Sequence, residues 1–257
     1  MMIKAYRVHG TLLLAVLYKD GVIVAGDRGG HGGVTRDDEV QLTEQVKVVR
    51  VNEKTVMAAA GNAIVANPEN HSEQWVNCFT SGNDYFRGNS FTNTDKFWNG
   101  LTQTIAQPYK DYIERSGDTD RLSLELPIIY DFDGLLRLRV VKLQYDGSQV
   151  PSGLTPEPLT PEHWFGGFFG YWGYAQVPEG LVFKKSRFSA LARHTSIRPF
   201  LDMSTSPQTV SLQKARIFVR KIMEVSSRVE PSKGNVSPEF NDVVIEGRYM
   251  FAPIPEE

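Results

Sequence analysis

Four residues within the first sixty-one of this chain carry matched chemistry: Thr11, Asp27, Lys47 and Gly61. Thr11 offers a hydroxyl, and cleavage of the Gly10–Thr11 peptide bond would add a free α-amine able to act as its base. Such an amine titrates at about 7.7 to 8.0, so it accepts a proton near neutral pH without a histidine. Lys47 would favour the deprotonated threonine electrostatically, and Asp27 would hold the lysine. The N–H of Gly61 would stabilise an oxyanion, because a helix expected from Asn62 onward leaves unpaired N–H groups at its start. Together these groups amount to a nucleophile site. Without the cut, Thr11 merely begins a strand, as β-branched residues often do.

Two hairpins must position them. Thr11 to Tyr18 is an almost unbroken apolar run, as expected of a strand covered on both faces, and Asp20-Gly21 is a two-residue hairpin signal. Val22–Gly26 returns and delivers Asp27 to the end where Thr11 sits. Val46–Val51, a turn at Asn52–Lys54 and Thr55–Ala60 repeat the plan, so that Lys47 and Gly61 share an end. This geometry predicts that all four residues converge at one end of a sheet.

The segment GTLLLAVLYKDGVIVAGDR, followed by VKVVRV and MAAAG, resembles the β-type subunits of the proteasome, most closely the bacterial kind, within the N-terminal-nucleophile hydrolases. In that family the aspartate follows the threonine by sixteen residues, as Asp27 follows Thr11, and the lysine precedes the oxyanion-hole glycine by fourteen, as Lys47 precedes Gly61. The gap between aspartate and lysine is four residues longer here. The resemblance covers about the first sixty-five residues and continues beyond as element order. It implies an α+β fold, the four-layer αββα sandwich, with residues 1–10 as a pro-segment and 11–257 as a single domain. It also implies a threonine endopeptidase that matures by self-cleavage at Gly10–Thr11 and works inside stacked homo-oligomeric rings, with α-type subunits as possible partners. No cofactor or metal is expected.

Further roles follow from the same resemblance. Val49, Ala59 and Ala63 would shape the pocket for the side chain before the scissile bond, and their modest, uncharged character implies an apolar preference. His31 stands where the family has a threonine that pairs with the substrate backbone; as a loop histidine it is also an alternative base. Ser232 matches a serine that supports the threonine amine, although Val229 stands where the family has an aspartate. Ser196 is the nearest candidate for a second such serine, without the flanking glycines. These departures leave two alternatives open: a non-catalytic ring-forming subunit, and an amidohydrolase of the same superfamily acting on a small amide.

Composition narrows the remaining classes. The chain is 41% apolar and 23% charged with a net charge of −2, ordinary globular values that give no basic footprint for nucleic acid or an anionic membrane. Cys78 is the single cysteine, so no internal disulfide forms, and a cytoplasmic location with an unreactive thiol is the expectation. No apolar run reaches the length of a spanning helix.

Along the rest of the chain, Arg28–Glu44 is too rich in glycine for a regular element. Asn62–Ser81 is compatible with a helix containing Pro68, and Gly82–Thr94 with a loop. Asp95 caps a helix over Lys96–Arg115 with Pro108 inside it. Leu124–Asp131 and Leu135–Tyr145 bracket Asp133-Gly134 as a third hairpin. Gln149–Glu162 is a proline-rich connection. The aromatic run His163–Tyr174 lacks interleaved basic residues, so burial in a core or subunit interface is favoured over base stacking. A helix over Phe188–Leu201, an amphipathic helix over Val210–Arg228 with Ala215, Ile217, Phe218, Ile222 and Val225 on its apolar face, and a strand at Asp242–Glu246 complete the reading.

Overall fold

The computed structural model describes residues 9–34, 40–67, 69–70, 73–116, 122–144, 209–228 and 237–248, with short segments at 149–150, 157–158, 164–165, 168–169, 172–176 and residue 195. The expected helix at 188–201 lies outside them, apart from residue 195.

The first hairpin joins β1 (His9–Tyr18) to β2 (Gly21–Asp27), with Leu13 opposite Gly26 and Tyr18 opposite Gly21. Residues 12–18 and 21–27 are all buried, which explains why this run is continuous rather than alternating. The second pairs β5 (Val48–Asn52) with β6 (Thr55–Ala58), and the third pairs β10 (Ser123–Phe132) with β11 (Leu135–Gln144). Asp133 and Gly134 adopt φ of 55° and 76°, the left-handed pair that a two-residue turn between right-twisted strands needs.

The hairpins do not share one sheet. The first lies in a four-stranded sheet ordered β16-β1-β2-β17, with β16 at Trp172–Gln176, just after the short pair β14 (Trp164–Phe165) and β15 (Phe168–Phe169), and β17 at Phe240–Glu246. The second and third form the other, ordered β12-β11-β10-β6-β5, where β12 is Gln149–Val150. In it β7 (Ala60–Gly61) also pairs with β10, and β13 (Glu157–Pro158) with β11. The expected convergence at one end of a sheet is therefore a meeting of two sheets across an apolar layer: Leu13, Ala15, Leu17, Val22 and Val24 pack with Val48, Val56, Ala58, Ile129, Leu136 and Val140. Two free edges meet as well. Asn241 Nδ2 on β17 donates to Val48 O at 2.6 Å, and Arg50 on β5 donates to Val244 O, so edge carbonyls are bonded across the seam.

Helices cover the sheets. α1 (Cys78–Gly88) and α2 (Asp95–Ser116) bury Phe79, Phe86, Phe97, Trp98, Leu101 and Ile105 against the sheet of β10, and α3 (Leu212–Ser226) buries Ala215, Phe218, Ile222 and Met223 against β1 and β2. Ile217, expected on that apolar face, is instead 44% exposed. Asn77 caps α1 by accepting from Phe79 N and Thr80 N, and Ser211 caps α3 by accepting from Lys214 N. Pro108 is accommodated within α2.

Two expectations are corrected. The stretch from Asn62 is a short hairpin, β8 (Ile64–Ala66) with β9 (Gln74–Asn77), and the helix begins only at Cys78 and runs through the expected loop to Gly88. The glycine-rich segment after Arg28 is also paired, β3 (Gly29–Val34) with β4 (Val40–Glu44), because ladder bonds use backbone groups that glycine supplies. Among the described residues no helix is long and apolar enough to cross a membrane.

Candidate functional site

Asp27 ends β2 with its side chain fully buried and every carboxylate oxygen engaged. Oδ1 accepts from Leu12 N–H at 2.7 Å and from Lys47 Nζ at 2.9 Å; Oδ2 accepts from Gly29 N–H at 3.1 Å and Ser237 N–H at 3.3 Å. Four donors on one carboxylate fix its orientation, and the two on Oδ1 tie it to the residue after Thr11 and to the lysine. Burial pushes the Asp27 carboxyl above the usual carboxylate range, opposed by Lys47 and by the N–H groups of Leu12 and Ser237. Burial likewise lowers the Lys47 ammonium, opposed by Asp27. Desolvation thus moves both groups toward neutrality, while their contact favours the charged pair.

Lys47 is held by its own backbone as well. Its carbonyl accepts from Ala59 N–H at 2.9 Å, and the next carbonyl, of Val48, is the acceptor of Asn241 Nδ2. A Cβ at Gly26 would stand 3.1 Å from Lys47 Cβ and 2.9 Å from Val48 Cγ2, so a side chain there would push the lysine segment away from β2. Gly29 serves a similar need: its Cβ would meet Asp27 Oδ2 at 3.1 Å and Ser237 Cβ at 3.2 Å.

Thr11 lies in β1, opposite Tyr174 of β16, and Gly10 is opposite Ala175, so the bond between them sits inside a paired strand. β3, which carries His31, and β7, which ends at Gly61, both contact β1. Gly61 is not at a helix start. It closes β7 opposite Leu124 with φ of 93°, a conformation that L side chains rarely adopt. Ala59 is buried in the helix-side cluster, and Val49 and Ala63 are partly buried against the same cluster. Ser196 and Ser232 lie outside the described residues.

Ser237 and Asn241 escaped the sequence reading. Ser237-Pro238 ahead of an apolar strand was the available signal: the Ser237 hydroxyl accepts from Glu239 N–H at 3.1 Å, the local turn that aims the Ser237 N–H at Asp27.

No family profile matches the sequence, and no curated protein matches it. Among solved structures the chain is similar to eukaryotic HslV from Trypanosoma brucei, with 15% identity over 92% of this chain and 99% of that one and a TM-score of 0.39. It is also similar to Anbu, the ancestral beta-subunit from Yersinia bercovieri, with 13% identity over 91% and 81% and a TM-score of 0.42.

Proposed function

We propose that this chain is a proteasome-like threonine endopeptidase subunit of the N-terminal-nucleophile class, self-processed at Gly10–Thr11 and assembled into rings in the cytoplasm. The observation that carries the reading is the buried Asp27–Lys47 pair bonded to the Leu12 amide, one residue beyond the nucleophile it would serve. Three apolar layers, between helices and sheet, between the two sheets, and between sheet and α3, support a four-layer αββα sandwich.

In this reading Thr11 Oγ attacks the Gly10 carbonyl carbon, the C–N bond to Thr11 breaks with its nitrogen taking a proton, and water hydrolyses the resulting ester. The freed α-amine then takes the Thr11 hydroxyl proton as Oγ attacks a substrate carbonyl; the scissile C–N bond breaks with its amine taking that proton, and a second water hydrolyses the acyl-enzyme left behind. Lys47, its basicity lowered by burial, stabilises the deprotonated hydroxyl. Gly61 N–H receives the oxyanion, Ser196 and Ser232 support the amine, and His31 aligns the substrate backbone. Val49, Ala59 and Ala63 select a sizeable apolar side chain.

Intact mass of the purified protein tests this directly. Wild type is expected to lose residues 1–10, Thr11→Ala to remain at full length and inactive, and Thr11→Ser to be processed and partly active. Peptide-coumarin substrates ending in Leu are expected to outpace those ending in Arg or Asp. One observation favours a second reading, a ring-forming subunit with a silent site: Gly61 lies in a strand pair with Leu124 rather than at the helix start that was expected to leave its N–H unpaired. A folded, assembled wild type that stays at full length and cleaves nothing selects that reading. Turnover of small amides without peptide cleavage selects the amidohydrolase.

A further inference from the structure

The β10/β11 hairpin carries a second charged cluster at its far end. Arg137 and Arg139 stand two residues apart on β11, opposite Tyr130 and Ile128, which belong to the helix-side core, so both arginines share that face. The Arg139 guanidinium lies 5.0 Å over the Trp98 ring and that of Arg137 5.7 Å over Phe132. Phe91 contacts Trp98, Tyr130 and Phe132 at centroid distances of 5.9, 5.4 and 6.1 Å, completing an aromatic floor beneath the two cations. A guanidinium lying over a ring is held there by the ring's electron density and still has N–H donors to satisfy.

Among the described residues acceptors are scarce there: the ion-pair partner of Arg139 is Asp95, at 3.7 Å, and that carboxylate is 89% exposed while the Arg139 side chain is 12% exposed. Among the described residues, Arg139 Nη1 and Arg137 Nε are buried without a hydrogen-bond partner. The neighbouring polar groups are already committed, since Tyr130 Oη–H and Trp98 Nε1–H both donate to Asn93 Oδ1, at 2.9 and 3.0 Å. Arg137 and Arg139 are nevertheless partly exposed, so the guanidinium N–H groups that reach the surface can meet an incoming group with several acceptor oxygens, whose charge would offset the cost of burying the rest.

We infer that Arg137 and Arg139, lying over Phe132 and Trp98, form a binding site for an oxyanion, a carboxylate or a phosphate, taken by their guanidinium N–H groups. Gly61 pairs with Leu124 and Arg137 with Tyr130 on the same strand, six residues or roughly 20 Å along it, so the site is separate from the glycine expected to hold the oxyanion.

Calorimetric titration of the full chain at constant ionic strength tests it, with chloride replaced by inorganic phosphate in one arm and by succinate in the other. Saturable binding in at least one arm is expected, and the stronger arm identifies the oxyanion. Arg139→Lys keeps the charge but not the planar fork, and should weaken that binding about tenfold or more; Arg137→Gln/Arg139→Gln should abolish it. If the double variant does not fold, Asp95→Asn decides instead: removing the competing carboxylate should tighten binding about threefold, in keeping with a single exposed ion pair. Non-saturable heats in both arms, binding unchanged in Arg139→Lys, or no tightening in Asp95→Asn would overturn the inference.

Discussion

Asp27 and Lys47, twenty residues apart in sequence, close a 2.9 Å ion pair between the two sheets, with 0% and 7% of their side chains exposed. A pair so buried is asymmetric in its energetics, because either partner alone becomes an uncompensated charge. Lys47→Met should cost about 3–5 kcal/mol in urea unfolding, and Asp27→Asn/Lys47→Met clearly less than the sum of the single changes. Additive losses would show that the two groups are not coupled. Any loss of activity in Lys47→Ala must accordingly be corrected for the fraction folded.

Asn241 is predicted to position the lysine segment through Val48 O. Asn241→Ala should cost about 1 kcal/mol of stability, the ordinary net value of one hydrogen bond. If Lys47 serves the nucleophile, the same change should also slow self-processing well beyond that stability loss. Processing followed by mass spectrometry at a temperature where both proteins are fully folded separates the two effects.

Gly21 faces the backbone of β17 so closely that an added Cβ would lie 2.1 Å from Ile245 O. No rotamer change relieves a clash with main chain, so Gly21→Ala should destabilise by about 1–3 kcal/mol. Gly88, the last residue of α1, has nothing within 4 Å of such a Cβ, and Gly88→Ala should gain up to about 1 kcal/mol from helix propensity. Melting temperatures moving in opposite directions are the expected result.

Cys78 is fully buried at the first residue of α1, and burial pushes its thiol far above the ordinary range. The thiolate is the reacting species, so native protein should resist a disulfide reagent at pH 8 and gain little reactivity at pH 9, where an ordinary cysteine would be mostly ionised. Denaturant should release one reactive thiol. Fast reaction of the folded protein would contradict this burial.

The hairpins were legible because each signal was local: Asp20-Gly21 and Asp133-Gly134 turns between apolar runs, and the alternation of Leu136, Leu138 and Val140 with Arg137 and Arg139. The pairing of Asp27 with Lys47 was legible for the same reason, as each sits at a strand end fixed by a turn. The segment after Gly61 was not. Ile64-Val65 and Trp75-Val76 are too short to separate a period of two from one of 3.6, and Gly82 reads as a loop residue. In the structure Gly82 lies inside α1, where a Cβ would meet Met57 Cε at 2.7 Å, so the glycine serves helix-to-sheet packing. The donors on Asp27 Oδ2 were illegible for another reason: Gly29 and Ser237 contribute main-chain N–H groups, which every residue but proline possesses.

The Ser237 amide reaches Asp27 across 210 residues of chain. Synthesis at about 5–20 residues per second places the two roughly 10–40 s apart. During that interval the nascent chain carries Asp27 and Lys47 but neither the Ser237 donor nor the Asn241 clamp. The carboxylate therefore acquires its full set of partners only after the ribosome has passed β17, so completion of this site is a late event in the life of each molecule.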